Sequence, residues 1–260
     1  MKTFISLLIL SCAVVLTACD EHNKKQQIDY SQENPQSLSI DSILMDTSLT
    51  LKANFPISFD SVRILMHPVG FVSVEDNYRS KSRFDMKSSS GSGDILPTVL
   101  SSATNDVIRG SMTHLLFEDI QTQTIRSLSD KVLNIRSVVY LRDLAKKSNK
   151  HFLFYTLQDL DTNKDNKLDI DDITCLYISN LDGTSFTKIT PAAHQLYDVK
   201  WENWCSRYYF QTIEDINKDG LFDKRDKFHY FYIDFLKEPY EVVEYIPLDK
   251  IIYNKTDSIS

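Results

Sequence analysis

"LYISNLDGTSFTKI", residues 176–189, is the stretch that decides the expected fold. Aromatic and β-branched residues stand on either side of a polar turn, a pattern typical of two strands joined by a hairpin. Two other segments superpose on it, "LLFEDIQTQTIRSL" at 115–128 and "FYIDFLKEPYEVV", which begins at Phe231. The corresponding turn residues are Asp119, Asn180 and Asp234. An internal repeat of this kind predicts repeated β-sheet units with loops inserted between them.

Two acid-rich stretches accompany the repeats, "DTNKDNKLDIDD" at 161–172 and "DINKDGLFDKRD" at 215–226. Carboxylates crowded so closely repel one another and raise each other's pKa, so a cation is expected among them. Calcium loops of the EF-hand type place oxygen ligands at positions 1, 3, 5, 7, 9 and 12, because Ca²⁺ takes six to eight oxygens. Both stretches resemble this pattern. The candidate calcium ligands are Asp161, Asn163, Asp165, the carbonyl of Lys167, Asp169 and Asp172 in the first loop, and Asp215, Asn217, Asp219, the carbonyl of Leu221, Asp223 and Asp226 in the second.

The last ligand and the flanks of these loops depart from the EF-hand pattern. Position 12 is Asp172 or Asp226 where that family usually has a bidentate Glu, so its reach is shorter. The flanking runs, such as "KHFLFYTLQ" and "FHYFYIDF", lack a helical period and read as strands. Ordinary solvated turns are the alternative reading of such Asp and Asn runs. Because both loops share one register, the sequence favours calcium loops placed between strands.

The strand-turn-strand copies, especially "LYISNLDGTSFTKITP", resemble the TolB-type β-propeller repeat. The resemblance covers about residues 114–246, lacks the Trp-Ser-Pro-Asp-Gly phrase of that family, and leaves room for two full units. A closed propeller typically has at least four blades. The resemblance therefore implies a mainly β fold of antiparallel, blade-like sheet repeats with calcium-loop insertions, partially propeller-like and not necessarily a ring.

The N-terminus reads as a targeting segment. "MKTFISLLILSCAVVLTACD" has one Lys, an apolar run too short to span a bilayer comfortably, and small residues before a cysteine. Its ending, Leu16-Thr17-Ala18-Cys19, resembles the lipobox of bacterial lipoproteins, which implies a lipid on Cys19 and a membrane-anchored place in the bacterial cell envelope. We expect the outer membrane as its location, and the sequence does not determine whether the protein faces the periplasm or the cell surface. An ordinary signal peptide with an incidental cysteine is the alternative.

The chain is expected to have four parts. They are a lipoprotein signal peptide at 1–18, a polar tether at 19–40, an N-terminal β-rich region at 41–110, and a repeat β domain at 111–260 that holds both acidic loops.

Composition and motifs exclude several function classes. A net charge of −7 without a basic stripe argues against a nucleic-acid partner. The chain has no His-Glu-x-x-His pair, no Gly-x-Ser-x-Gly elbow and only 6 Gly residues, which disfavours a metalloprotease, a serine hydrolase or a phosphate-cradling loop. We therefore expect a non-catalytic protein. The enzymatic alternative is a hydrolase with a concave site of clustered acids, or a catalytic Mg²⁺ or Ca²⁺ held by the Asp clusters. A dockerin-like protein-interaction module is a further alternative and would need helices after its loops. His151 and His229, at the edges of strand-like runs, are interpreted as surface or packing residues.

Two questions stay open at the level of sequence. Trp201, Trp204 and the Tyr-rich segment 207–210 are either core residues or an aromatic platform, and a platform would indicate a glycan- or protein-binding surface module. Exposed, coplanar Trp rings would decide for the platform. Cys175 and Cys205 can pair only if their Cα atoms lie within about 7 Å, and the sequence does not settle this.

Overall fold

A computed structural model describes residues 26–31, 35–38, 49–59, 63–73, 102–104 and 106–248. The predicted signal peptide, Cys19 and the start of the predicted tether lie outside the described residues. In the described part of the chain, no helix is long and apolar enough to cross a membrane.

The described residues form fourteen β-strands, one short α-helix and one turn of 3₁₀-helix. In chain order they are β1 (Leu49–Ala53), β2 (Ile64–Ser73), β3 (Ser102–Thr104), β4 (Val107–Met112), β5 (His114–Asp119), β6 (Thr124–Ser127), β7 (Asn134–Tyr140), α1 (Arg142–Ser148), β8 (Phe152–Gln158), β9 (Cys175–Asn180), β10 (Thr187–Lys188), β11 (His194–Glu202), the 3₁₀ turn (Asn203–Cys205), β12 (Arg207–Glu214), β13 (Lys227–Asp234) and β14 (Val242–Tyr245).

The strands form three antiparallel sheets, each with a run of four neighbouring strands. The first sheet has the order β1-β2-β5-β6, the second β10-β9-β8-β7-β4-β3 and the third β11-β12-β13-β14. The predicted strand-turn-strand copies are the pairs β5–β6, β9–β10 and β13–β14, and each forms one end of a four-strand run. The prediction of a mainly β fold with antiparallel, blade-like sheet repeats, partially propeller-like, is confirmed.

The predicted turn residues end the third strand of each four-strand run. Asp119, Asn180 and Asp234 are the last residues of β5, β9 and β13. The Oδ1 atom of Asp119 accepts the N–H of Gln121 at 2.9 Å, and that of Asp234 accepts the N–H of Leu236 at 3.0 Å. Short polar side chains that bond the backbone two residues on favour a turn over a continued strand.

The second sheet is the middle layer, with apolar side chains packed on both of its faces. Leu153 and Tyr155 of β8 belong to the core shared with the first sheet, whereas Phe154 belongs to the core shared with the third. The ring of Phe154 stacks on that of Tyr208 of β12, with centroids 3.9 Å apart. A strand covered on both faces reads as an almost continuous apolar run, which explains "HFLFYTLQ".

The first and second sheets meet closely at one glycine. Gly183, in the turn after β9, has φ +76, and a Cβ atom placed there would lie 2.5 Å from the Phe117 ring of β5. Because L side chains rarely adopt this backbone conformation and no room exists for one, the "LDG" turn depends on glycine.

Two predicted boundaries differ from the structure. Strand β4 (Val107–Met112) crosses the boundary expected at 110/111 and pairs with β7, and β2 pairs with β5. The regions expected at 41–110 and 111–260 therefore share the first and second sheets. Residues 26–31 and 35–38, which we expected to be tether, contact the folded body: Gln36 bridges Asp161, and Ile28 is buried. Local composition does not show which distant strands pair, nor that the single apolar side chain of Ile28 is buried.

Candidate metal sites

The two acidic loops occupy equivalent places in the second and third sheets. The loop at 161–172 joins β8 to β9, and the loop at 215–226 joins β12 to β13. Both pairs of strands are antiparallel neighbours. Strands, and not helices, therefore flank both loops, as the sequence predicts.

The first ligand position of each loop is held by the same hydrogen bond. The Oδ2 atom of Asp161 accepts the N–H of Asn166 at 2.9 Å, and the Oδ2 atom of Asp215 accepts the N–H of Gly220 at 2.8 Å. Asn166 and Gly220 both have positive φ, +63 and +79. The sixth position thus makes the sharp turn that the calcium-loop pattern requires, and it directs its N–H at the first carboxylate.

The remaining candidate ligands also bond the backbone in corresponding pairs. In both loops the side chain at position 3 accepts the backbone N–H of position 5, and the side chain at position 5 accepts the N–H of position 7. The side chain at position 9 accepts the N–H of position 11, and the side chain at position 12 accepts the N–H of position 9. The distances are 3.0, 3.0, 2.8 and 3.0 Å for Asn163, Asp165, Asp169 and Asp172, and 2.8, 2.9, 2.8 and 2.8 Å for Asn217, Asp219, Asp223 and Asp226. The two loops therefore share one internal hydrogen-bond architecture.

Buried carboxylate oxygens at these loops have no hydrogen-bond partner within the described residues. Asp161 and Asp215 are 3% and 5% exposed, and the Oδ1 atom of each has no partner within hydrogen-bond geometry, as is true of Oδ1 of Asp226. The Tyr30 hydroxyl lies beside the Asp215 carboxylate, and burial together with that carboxylate raises the pKa of Tyr30. An ionised oxygen buried without a partner is costly, so such atoms call for a cation. Carboxylate, amide and carbonyl oxygens are the ligands that Ca²⁺ prefers. The side chains present therefore fit Ca²⁺ in both loops.

The carboxylates of the two loops have different surroundings. In the first loop, burial raises the pKa of the Asp172 carboxyl to about 6, and the nearby Asp161 charge adds to this, although backbone hydrogen bonds oppose it. In the second loop, the guanidinium of Arg225 contacts the carboxylates of Asp219 and Asp223. The ligand spacing of the loop does not predict this internal counter-charge, because position 11 is not a ligand position.

An N-terminal strap, which we define as residues 26–31 and 35–38, lies against both loops. The carbonyl of Gly220 accepts the N–H of Gln27 at 2.7 Å, and the carbonyl of Thr162 accepts the N–H of Asp29 at 2.8 Å. A Cβ atom on Gly220 would lie 2.3 Å from the carbonyl oxygen of Ile28. Ile28 packs with Ile173 in a small buried cluster. The strap and the loops therefore form one packed unit.

A histidine cluster that no sequence motif predicts lies next to the second loop. One potential ligand atom from each of His194 of β11, Glu214 of β12 and His229 of β13 lies within 4.8 Å of the others. His229 Nε2 lies 2.8 Å from Glu214, and its Nδ1 lies 2.7 Å from Glu244 of β14. Burial, with a smaller contribution from His229, lowers the pKa of His194. These residues are far apart in sequence, and strand register alone brings them together.

The tryptophans do not form a joint platform. Trp204 is 84% exposed, whereas Trp201 packs against the core beside Phe235 and its Nε1 is buried. Cys175 and Cys205 are both free thiols, the first buried on β9 and the second partly exposed after β11. The question left open by the sequence is therefore answered in favour of two separate thiols.

Comparison with protein-family models, curated proteins and solved structures found no match for the chain.

Proposed function

We propose that the chain is a non-catalytic, lipid-anchored protein of the bacterial envelope in which two EF-hand-like loops bind Ca²⁺ and stabilise the fold. The observation that carries the calcium proposal is the pair of unpartnered Oδ1 atoms on the buried residues Asp161 and Asp215. They occupy the same position in two loops with the same hydrogen bonds. Coincidental solvated turns do not explain buried carboxylates in which one of the two oxygens lacks a hydrogen-bond partner.

The ion's role in this proposal is structural. A sensor loop needs a helix pair that reorients on binding, whereas both loops here join strands already paired in a sheet. The loops also hold the N-terminal strap through the carbonyls of Thr162 and Gly220. Calcium bound in the loops would fix the backbone to which the strap is attached, and the strap leads back towards Cys19, the proposed lipid anchor.

Calcium titration of the full chain, stripped of metal with a chelator, tests the proposal by calorimetry. We expect two sites in the wild type and one site in each of Asp161→Ala and Asp215→Ala. Asp171→Ala is the matched control, because Asp171 is an acid in the first loop at position 11 and not a candidate ligand. Absence of calcium binding, or unchanged stoichiometry in both ligand variants, would disprove the calcium sites.

A second candidate function, a glycan- or protein-binding surface, is favoured by tyrosines on the outer face of the third sheet. The rings of Tyr209 and Tyr232 lie 5.8 Å apart, and Tyr245 lies 5.9 Å from Tyr209. Arg207 lies over Tyr232 at 4.5 Å. Half-exposed aromatic rings with an adjacent cation suit stacking against a ligand. Binding to a panel of oligosaccharides tests this candidate. Tyr209→Ala should lose the binding, whereas Phe55→Ala, which removes an exposed ring outside the third sheet, should retain it.

A further inference from the structure

The histidine cluster beside the second loop has a donor set different from that of the loops. Two imidazoles and a carboxylate, from His194, His229 and Glu214, converge within 4.8 Å. Ca²⁺ takes oxygen ligands, whereas imidazole nitrogen suits Zn²⁺ and its first-row neighbours. Two His and one Glu also form a known ligand set for zinc with an open coordination position.

Sheet register brings the three side chains to the same face. His194 of β11 is directly opposite Glu214 of β12, and Glu214 is opposite Lys227, two residues before His229 on β13. Directly opposed and diagonal side chains on one face of an antiparallel sheet lie within reach of each other. The rings of His194 and His229 accordingly lie 4.8 Å apart, centroid to centroid. Three neighbouring strands of a hydrogen-bonded sheet therefore supply a rigid base for the cluster.

The Nδ1 atom of each ring has its own partner. His194 Nδ1 lies 2.9 Å from the hydroxyl of Thr212, and His229 Nδ1 lies 2.7 Å from the carboxylate of Glu244. A metal-binding histidine usually donates its second ring N–H to a carboxylate or another acceptor, which sets the tautomer and the ring orientation. With both Nδ1 atoms held in this way, the Nε2 atoms are the natural ligands. His229 Nε2 already lies 2.8 Å from Glu214.

We propose that His194, His229 and Glu214 bind one transition-metal dication, best suited to Zn²⁺, through the two Nε2 atoms and a carboxylate oxygen. Glu244 and Thr212 are positioning residues that orient the two rings. The His229 side chain is 10% exposed and that of Glu214 is 43% exposed, so the carboxylate has freedom to close on an ion that enters from solvent. Three protein ligands leave a fourth position for water or for a ligand group. The proposal does not depend on calcium in the loops.

Zinc titration of the full chain, held in millimolar calcium so that acidic loops do not compete, tests the site. We expect one zinc ion per chain by calorimetry, and with Co²⁺ as a probe the visible absorption of a site with nitrogen and oxygen ligands. Glu244→Gln should weaken zinc binding about 10- to 100-fold. His194→Asn should weaken it further, because it removes a ligand. The melting temperature of each variant in calcium shows whether it is folded.

His67→Asn is the matched control. His67 Nε2 lies 2.7 Å from Glu118 on the first sheet, and within the described residues this His–Glu pair is not part of a three-residue cluster that could hold a metal ion. Zinc binding unchanged in His67→Asn and lost in His194→Asn would support the site. A wild-type chain that takes up no zinc would overturn the proposal, and so would zinc binding of wild-type affinity in His194→Asn. If His194→Asn does not fold, Glu214→Gln, which keeps the size of a partly exposed side chain, replaces it with the same expected loss.

Discussion

The guanidinium of Arg225 lies 2.5 Å from the carboxylate of Asp219, a candidate calcium ligand of the loop that contains both residues. The same group also contacts Asp223, at 2.8 Å. The first loop has an acid, Asp171, at the corresponding position. The second loop therefore carries a guanidinium beside two ligand positions, at a position where the first loop has an acid.

Replacing Arg225 should strengthen calcium binding in the second loop. Arg225→Gln removes a cation that attracts the carboxylates of Asp219 and Asp223 and repels an incoming Ca²⁺. Because the pair is exposed and screened by solvent, we expect a modest gain of about two- to fivefold in affinity. Calorimetry of Arg225→Gln measures it, with Arg225→Lys as the charge-preserving control. Weaker calcium binding in Arg225→Gln would show that the guanidinium supports the site.

Calcium should raise the melting temperature of the full chain. A ligand that binds the native state alone stabilises it by about 2.7 kcal/mol per site when it is 100-fold above Kd. For a chain of this size that corresponds to about 5 to 10 °C per site. Asp161→Ala and Asp215→Ala should each remove about half of the calcium-dependent shift. Melting curves in chelator and in calcium provide the measurement.

The same titration separates a structural ion from a switch. Far-UV circular dichroism should change little when calcium is added, because the strands on both sides of each loop are already paired. A melting midpoint that calcium does not change would contradict the calcium proposal, and a large change in dichroism would indicate a conformational switch instead.

Gly220→Ala should weaken the attachment of the N-terminal strap. A Cβ atom there would lie 2.3 Å from the backbone oxygen of Ile28, and the positive φ of Gly220 is unfavourable for alanine. We expect a loss of about 1 to 2 kcal/mol in stability and faster proteolysis within residues 26–38. Asn166→Gly, at the same position of the first loop, is the control and should be tolerated, since φ is +63 there. Equal protease resistance in Gly220→Ala and the wild type would contradict the packing.

The two described cysteines should differ in reactivity. Cys175 is 1% exposed, and burial raises the pKa of its thiol to about 12, with the nearby Asp159 charge adding to the shift. Its thiolate fraction at pH 8 is therefore very small, whereas Cys205 is partly exposed. Alkylation of the folded chain should modify Cys205 first and Cys175 only after unfolding. Cys205→Ser is the control that removes the fast reaction, and the absence of both thiols in the unreduced, denatured chain would indicate a disulfide.

Lipid attachment should depend on Cys19. In Cys19→Ala the residue that the lipobox-like ending offers for modification is gone, so incorporation of a fatty-acid probe and retention in the membrane fraction should both be lost. Cys12→Ala is the control, because Cys12 lies inside the apolar run and should be dispensable for labelling. Undiminished labelling of Cys19→Ala would refute the anchor.

Local patterns in the sequence were sufficient for the parts of the fold that lie within one short stretch. The strand-turn-strand copies, their turn residues and the placement of both acidic loops between strands all match the structure. Each depends on contacts between residues close in sequence. A turn is closed by a side chain two residues away, and the Asp161 and Asp215 carboxylates accept an N–H five residues further on. The longest of these bonds, from the N–H of Thr162 to Asp172, spans ten residues and stays within one loop. Such short-range chemistry is readable from spacing alone.

Tertiary structure decided what depends on strand register and on packing between sheets. The second sheet is the middle layer, the strap containing Ile28 lies on both loops, and His194, Glu214 and His229 form one cluster. Nothing in the sequence near His229 indicates His194, because their proximity arises from how β11, β12 and β13 align. A shift of one residue in either pairing would turn one of these side chains to the opposite face of the sheet. The sequence alone determined the repeats and the loops; the long-range pairing of strands, fixed by burying their apolar faces, decided which distant side chains meet.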